Sequence, residues 1–112
     1  MTNTDGELTP AMFHILLTLA EGERHGYAIM QEIERRTNGA VELGPGTLYR
    51  SIKQLVASGL IAEIESQQNG AKQRRNYRLT SNGRSRAAME AQRLRELVEW
   101  AESAELLHGG PA

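Results

Sequence analysis

Apolar residues recur every three to four positions as far as Ser58, and from Ile61 they recur at every second position. The first spacing puts a stripe on one face of a helix and the second puts one face of a strand against a core. A chain with this switch must place short helices before a small sheet. Thr9-Pro10 offers a capping hydroxyl followed by proline at the first helical position, where its missing N–H costs nothing. Met12, Ile15, Leu16 and Leu19 then share a face that Phe13, Leu17 and Ala20 widen, which predicts a well-buried first helix to about Glu21, closed by Gly22. A second helix is predicted from near Gly26, with Tyr27, Met30 and Ile33 inward and Gln31, Glu32, Glu34, Arg35 and Arg36 toward water. Asn38-Gly39 ends it, since these residues best accept a left-handed turn. After a brief extended link, Gly44-Pro45-Gly46 opens a third helix that Ser58-Gly59 stops. Leu48, Ile52, Leu55 and Val56 form its apolar face, and Thr47, Tyr49, Arg50, Lys53 and Gln54 its polar one.

Ile61–Glu65 and Arg75–Leu79 are two short strands around a polar segment containing Asn69-Gly70, the strongest short-range hairpin signal. Thr80-Ser81-Asn82 offers caps for a last helix to about Leu107, about 27 residues or roughly 40 Å. Its stripe is Leu94, Leu97, Val98, Ala101 and Ala104, and Gly109-Gly110-Pro111 frays its end.

Three helices followed by a hairpin make the pattern of a winged helix-turn-helix. The fold expected is mainly α with a small β-hairpin, extended by a long C-terminal helix. Its parts are a flexible arm over residues 1–8, a winged helix-turn-helix over 9–80, a dimerisation helix over 81–107 and a flexible tail over 108–112. In such a fold the first two helices brace the third, whose exposed face can enter the major groove of double-stranded DNA.

The 112 residues carry 13 Lys and Arg against 14 Asp and Glu, a net charge of −1 that taken alone argues against a polyanion binder. The average conceals a polarity. Residues 45–86 hold eight basic and two acidic side chains, a net of +6, whereas the remainder holds five and twelve, a net of −7. Segregation of this size is the footprint of one surface that faces phosphate while the rest repels it. The alternative is that Glu63 and Glu65 pair with Arg74 and Arg78 across the hairpin as solvated salt bridges.

Four runs, in this order and spacing, resemble the PadR-like transcriptional regulators: His25-Gly26-Tyr27; Gly44-Pro45-Gly46-Thr47-Leu48-Tyr49; Leu55 with Gly59-Leu60-Ile61; and Arg74-Arg75-Asn76-Tyr77-Arg78-Leu79-Thr80 with Gly83. The resemblance spans about residues 8 to 107, and the single C-terminal helix looks like that of the smaller subfamily, in which it packs across a homodimer. It implies a DNA-binding repressor whose recognition helix is Pro45–Ser58. Two positions depart from the family pattern. Gly44 stands where a serine-type cap is usual, and Arg50 stands where proline or a small residue is common, so operator preference does not carry over.

Thr47, Arg50 and Lys53 are the candidates for base edges or phosphate, with Arg50 foremost because arginine to guanine is the commonest specific contact. Tyr49 is either a phosphate contact or a packing residue against the second helix. His25 and Tyr27 lie where helix N–H groups attract an anion, a core role being the alternative for Tyr27, while Tyr77 faces the core. Lys72, Gln73, Arg74 and Arg75 form the basic end of the hairpin. The long last helix calls for a second copy to cover its stripe and, for a palindrome, to supply the second reading head; a helix folded back on its own domain is the alternative. Some relatives hold flat aromatic molecules between protomers, which makes Trp100 a candidate effector contact as well as an interface residue.

Enzymatic readings find little footing. His14, His25 and His108 have no ligand spacing, cysteine is absent, and no nucleophile motif or phosphate-cradling loop occurs, so neither metal nor cofactor is expected. His14 reads as a satisfied core histidine. The polar, acidic start and the interrupted apolar run 11–20 predict a cytoplasmic protein without a membrane span. The competing class is a winged helix used as a protein-interaction module, for which a basic hairpin end has no evident purpose.

Overall fold

The computed structural model describes residues 7–65 and 75–107. The elements in chain order are α1 (Pro10–Ala20), β1 (Arg24–His25), α2 (Gly26–Arg36), α3 (Pro45–Ala57), β2 (Ile61–Glu65), β3 (Arg75–Leu79) and α4 (Ser81–Ser103). The predicted caps form where the sequence put them. Thr9 Oγ1 accepts the Met12 N–H at 3.1 Å, and Asn38 and Gly39 leave α2 through left-handed conformations, φ 53° and 80°. Gly44 caps α3 with backbone alone, without a side-chain hydrogen bond.

The core is built by Ile15, Leu16 and Leu19 of α1, Ile29 and Ile33 of α2, Leu48, Ile52 and Leu55 of α3, and Ile61 and Tyr77 of the sheet. Each fully buried aliphatic side chain contributes about 1.5–3 kcal/mol relative to exposure, so α3 is fixed by three anchors on one face. The remaining face of α3 is free to present other chemistry. α1 is less enclosed than its wide stripe predicts. Although α2, α3, the sheet and α4 all pack against α1, Leu17 is 45% exposed and Phe13 and Ala20 are half-buried, outside the core formed by Ile15, Leu16 and Leu19. Arg36 bridges α1 and α2 by pairing with both Glu21 and Glu32. Hydrogen bonds from Arg35 and Arg36 hold the Glu32 carboxyl below the usual carboxylate range.

Two features of the sheet and one at the N-terminus were not foreseen. The hairpin is joined by β1 into a three-stranded antiparallel sheet of order β1-β3-β2, with Arg24 opposite Tyr77 and His25 opposite Asn76. The β2–β3 register runs from Ile61 opposite Leu79 to Glu65 opposite Arg75. At the other end of the domain Leu8, assigned to the arm, packs against the core.

α4 is fastened at its root. Thr80 Oγ1 accepts the Gly83 N–H at 3.0 Å and shares its own proton between the carbonyls of Gly59 at 2.7 Å and Leu60 at 2.9 Å. Gly83 is buried, and a β-carbon there would run into the Leu60 carbonyl oxygen and lie 2.8 Å from Leu79 Cδ1. The helix stops at Ser103 rather than near Leu107. Glu105 turns left-handed, φ 66°, and the Leu106 N–H bonds back to Ala101 O at 2.9 Å, the pattern of a Schellman stop. Leu106 and Leu107 therefore leave the stripe and stay exposed.

Candidate nucleic-acid interface

The α3 face opposite the core presents the expected residues. Thr47, Tyr49, Arg50 and Lys53 are exposed while Leu48, Ser51, Ile52 and Leu55 are buried behind them. The 3.6-residue period alone produces this division, since residues three and four apart share a side. Proline and glycine at positions 45 and 46 keep the first turn of α3 free of bulk.

Tyr49 serves the packing reading while keeping a wet surface. It is 49% exposed, and its ring lies over Gly26, the first residue of α2. A β-carbon on Gly26 would stand 2.5 Å from the hydroxyl oxygen and 2.8 Å from Cε1. His25 caps α2 directly, its Nδ1 accepting the Ala28 N–H at 3.3 Å. That acceptance assigns the proton of a neutral ring to Nε2. Tyr27 follows at 56% exposure and takes no part in the core. The His25-Gly26-Tyr27 run thus joins the start of α2, the polar side of α3 and, through β1, the base of the wing.

On the wing, Arg75 is exposed and forms an ion pair with Glu63, its Nε 3.2 Å from Glu63 Oε2. Among the described residues the cross-hairpin pair is between Glu63 and Arg75, not Arg78. Arg78 stands exposed opposite Ala62. Lys72, Gln73 and Arg74 lie outside the described residues. Tyr77 is buried as expected, and desolvation, with Glu63 adding to it, pushes its phenol above the ordinary tyrosine range.

Arg84, counted within the basic segment, turns away from the wing and reaches Ala20 O at the end of α1, 3.4 Å away. A cation there complements the carbonyl end of a helix. Further along α4, Leu94 and Ala101 are half-buried and Ala104 is exposed, while Leu97 and Val98 are 44% and 46% exposed. Trp100 is 70% exposed, on the flank that also carries exposed Met89. His14 is half-buried and bonds through Nδ1 to Pro10 O at 2.7 Å, an exposed contact at the surface of α1. Among the described residues no group of three or more His, Cys, Asp or Glu side chains is placed to hold a metal. No described helix is long and apolar enough to cross a membrane.

Sequence reasoning missed three parts of this surface. β1 is two residues long and has no alternation to detect. The demand for glycine at position 26 depends on a ring 23 residues away. The partner of Glu63 depends on hairpin register and side-chain reach, and the sequence offered Arg74 and Arg78 as the alternative partners, not Arg75.

The profile of the Transcriptional regulator PadR-like family matches residues 15–89. A transcriptional regulator of Mycobacterium tuberculosis, Rv3488, is 36% identical over 85 residues, covering 76% of each chain. A protein of Lysinibacillus sphaericus is 35% identical over 94 residues, 83% of this chain and 80% of that one. In fold, a transcriptional regulator from Clostridium thermocellum superposes with a TM-score of 0.75 at 21% identity, covering 92% and 97% of the two chains. Bacillus subtilis PadR, solved in complex with operator DNA, gives 0.60 at 23% identity over 90% of this chain and 49% of that one. The exposed recognition face, the wing beside it and these matches lead to one conclusion: the chain belongs to the PadR-like family of transcriptional regulators.

Proposed function

We propose that this chain is a homodimeric, sequence-specific DNA-binding repressor of the cytoplasm that reads a palindromic operator. The observation that carries the reading is the polar face of α3, with Thr47, Arg50 and Lys53 exposed on a helix whose other side is buried. A helix so presented fits the major groove. His25 and Tyr27 flank it at the start of α2, Tyr49 stands on α3 itself and Arg75 on β3, and we assign these, with Lys72, Gln73 and Arg74 of the basic sequence run, as contacts to phosphate. The complex of Bacillus subtilis PadR with operator DNA supports this use of the fold.

The dimer is supported by α4. Leu94, Leu97, Val98, Ala101 and Ala104 form an incompletely covered stripe. Charge adds a second argument. Arg84, Arg86, Arg93 and Arg95 precede Glu96, Glu99, Glu102 and Glu105, with Glu90 the one exception. Cations early and anions late oppose the helix dipole, and a second copy lying antiparallel sets each half against its opposite. The exposed indole of Trp100 supports a role as a stacking surface for a small planar aromatic effector that releases the DNA.

The test is a mobility-shift titration against the DNA upstream of the chain's own gene, repeated at several salt concentrations. Binding that weakens steeply as salt rises is expected from counterion release. No shift with any fragment at low salt would reassign the chain to a protein-interaction module. Titrating the Trp100 fluorescence with a panel of planar aromatics tests the effector role, and unchanged emission across the panel removes it.

A further inference from the structure

Residues 45–86 contain two acidic side chains, Glu63 and Glu65, and both lie on β2. Residues opposite one another in an antiparallel pair point to the same face of the sheet. The register places Glu63 opposite Tyr77, Glu65 opposite Arg75 and Ile61 opposite Leu79. All six therefore share the face that buries Ile61 and Tyr77 against the helices. Glu63 reaches diagonally to pair with Arg75, Oε2 lying 3.2 Å from Nε, yet the two side chains remain 41% and 73% exposed. Tyr77 sits beside both, and Tyr49 of α3 is near enough to affect its ionisation. The ion pair thus sits on the exposed outer part of the sheet face whose inner part, at Ile61 and Tyr77, packs against the helices.

We propose that Glu63 limits affinity, holding Arg75 in an internal ion pair that a DNA phosphate has to displace. This rests on the DNA-binding reading above. An exposed pair of this kind is worth at most about 1 kcal/mol, so phosphate can break it. The carboxylate left behind then opposes the same phosphate. Together the two side chains carry no net charge, and this part of the wing releases little counterion. The consequence is selectivity, because phosphate contacts tighten binding to every sequence and distinguish none. A damped wing leaves discrimination to α3.

The experiment measures affinity for an operator fragment and an unrelated duplex across a salt series, with wild type, Glu63→Gln, Arg75→Gln and the double variant. Thermal midpoints serve as the folding control. Glu63→Gln is expected to tighten binding to both duplexes by roughly three- to tenfold, with a log–log salt slope steeper by about one. Arg75→Gln is expected to cost several-fold more affinity in the Glu63→Gln background than in wild type. An affinity and slope unmoved by Glu63→Gln, or an Arg75→Gln loss equal in both backgrounds, overturns the proposal while leaving DNA binding intact. A wild-type protein that binds neither duplex at low salt overturns the DNA-binding reading and this inference with it.

Discussion

The Tyr49 ring occupies the space that a side chain at Gly26 would need, with its hydroxyl oxygen 2.5 Å from where the β-carbon would stand. The ring of α3 thus lies directly over the first residue of α2. Gly26→Ala is expected to force the ring aside at about 1–3 kcal/mol, the usual cost of overpacking, read as a lowered denaturation midpoint. Tyr49→Leu in the same background is expected to restore most of the loss. A Gly26→Ala protein as stable as wild type would show that the ring yields freely.

Arg50 makes a sharper case on the recognition helix itself. It is exposed on α3, with the buried anchors Leu48 and Ile52 two residues to either side. Arg50→Ala is expected to cost about 1–3 kcal/mol and to relax preference at one operator position. Competition binding against single-base operator variants checks this. A loss spread evenly over unrelated sequences reassigns Arg50 to a phosphate.

The α4 stripe carries the third expectation. Leu97→Glu or Val98→Glu puts a carboxylate on the face assigned to the second copy, where an unpaired charge is strongly disfavoured. Sedimentation at micromolar concentration is expected to give twice the 12.4 kDa chain mass for wild type and the single-chain mass for either variant. A wild-type particle of single-chain mass would remove the dimer.

Thr80 holds the base of that helix by capping Gly83 N–H and bonding toward Gly59 and Leu60. Thr80→Ala is expected to cost about 1–2 kcal/mol, measured by chemical denaturation, whereas Thr80→Ser retains the hydroxyl and most of the stability.

The parts of this molecule that were readable in the sequence are those set by local periodicity and capping. The strands Ile61–Glu65 and Arg75–Leu79 match their predicted bounds because alternation and an intervening turn specify both ends. The same rules gave Thr9, Asn38-Gly39 and the polar face of α3. They fail where one backbone meets another. β1 exists because β3 offers it an edge, and a side chain at Gly26 would meet the Tyr49 ring. The helix was expected to run to about Leu107, but the turn at Glu105 satisfies the last carbonyls of α4 sooner.

The buried glycine at position 83 has a mechanical consequence. Because no side chain separates the first turn of α4 from the Leu60 carbonyl, the helix meets the segment just after α3 without a soft spacer. The Thr80 hydroxyl clamps the same joint. Any side chain at position 83 would have to push α4 off the Leu60 carbonyl, so this glycine sets the angle at which α4 leaves the rest of the domain.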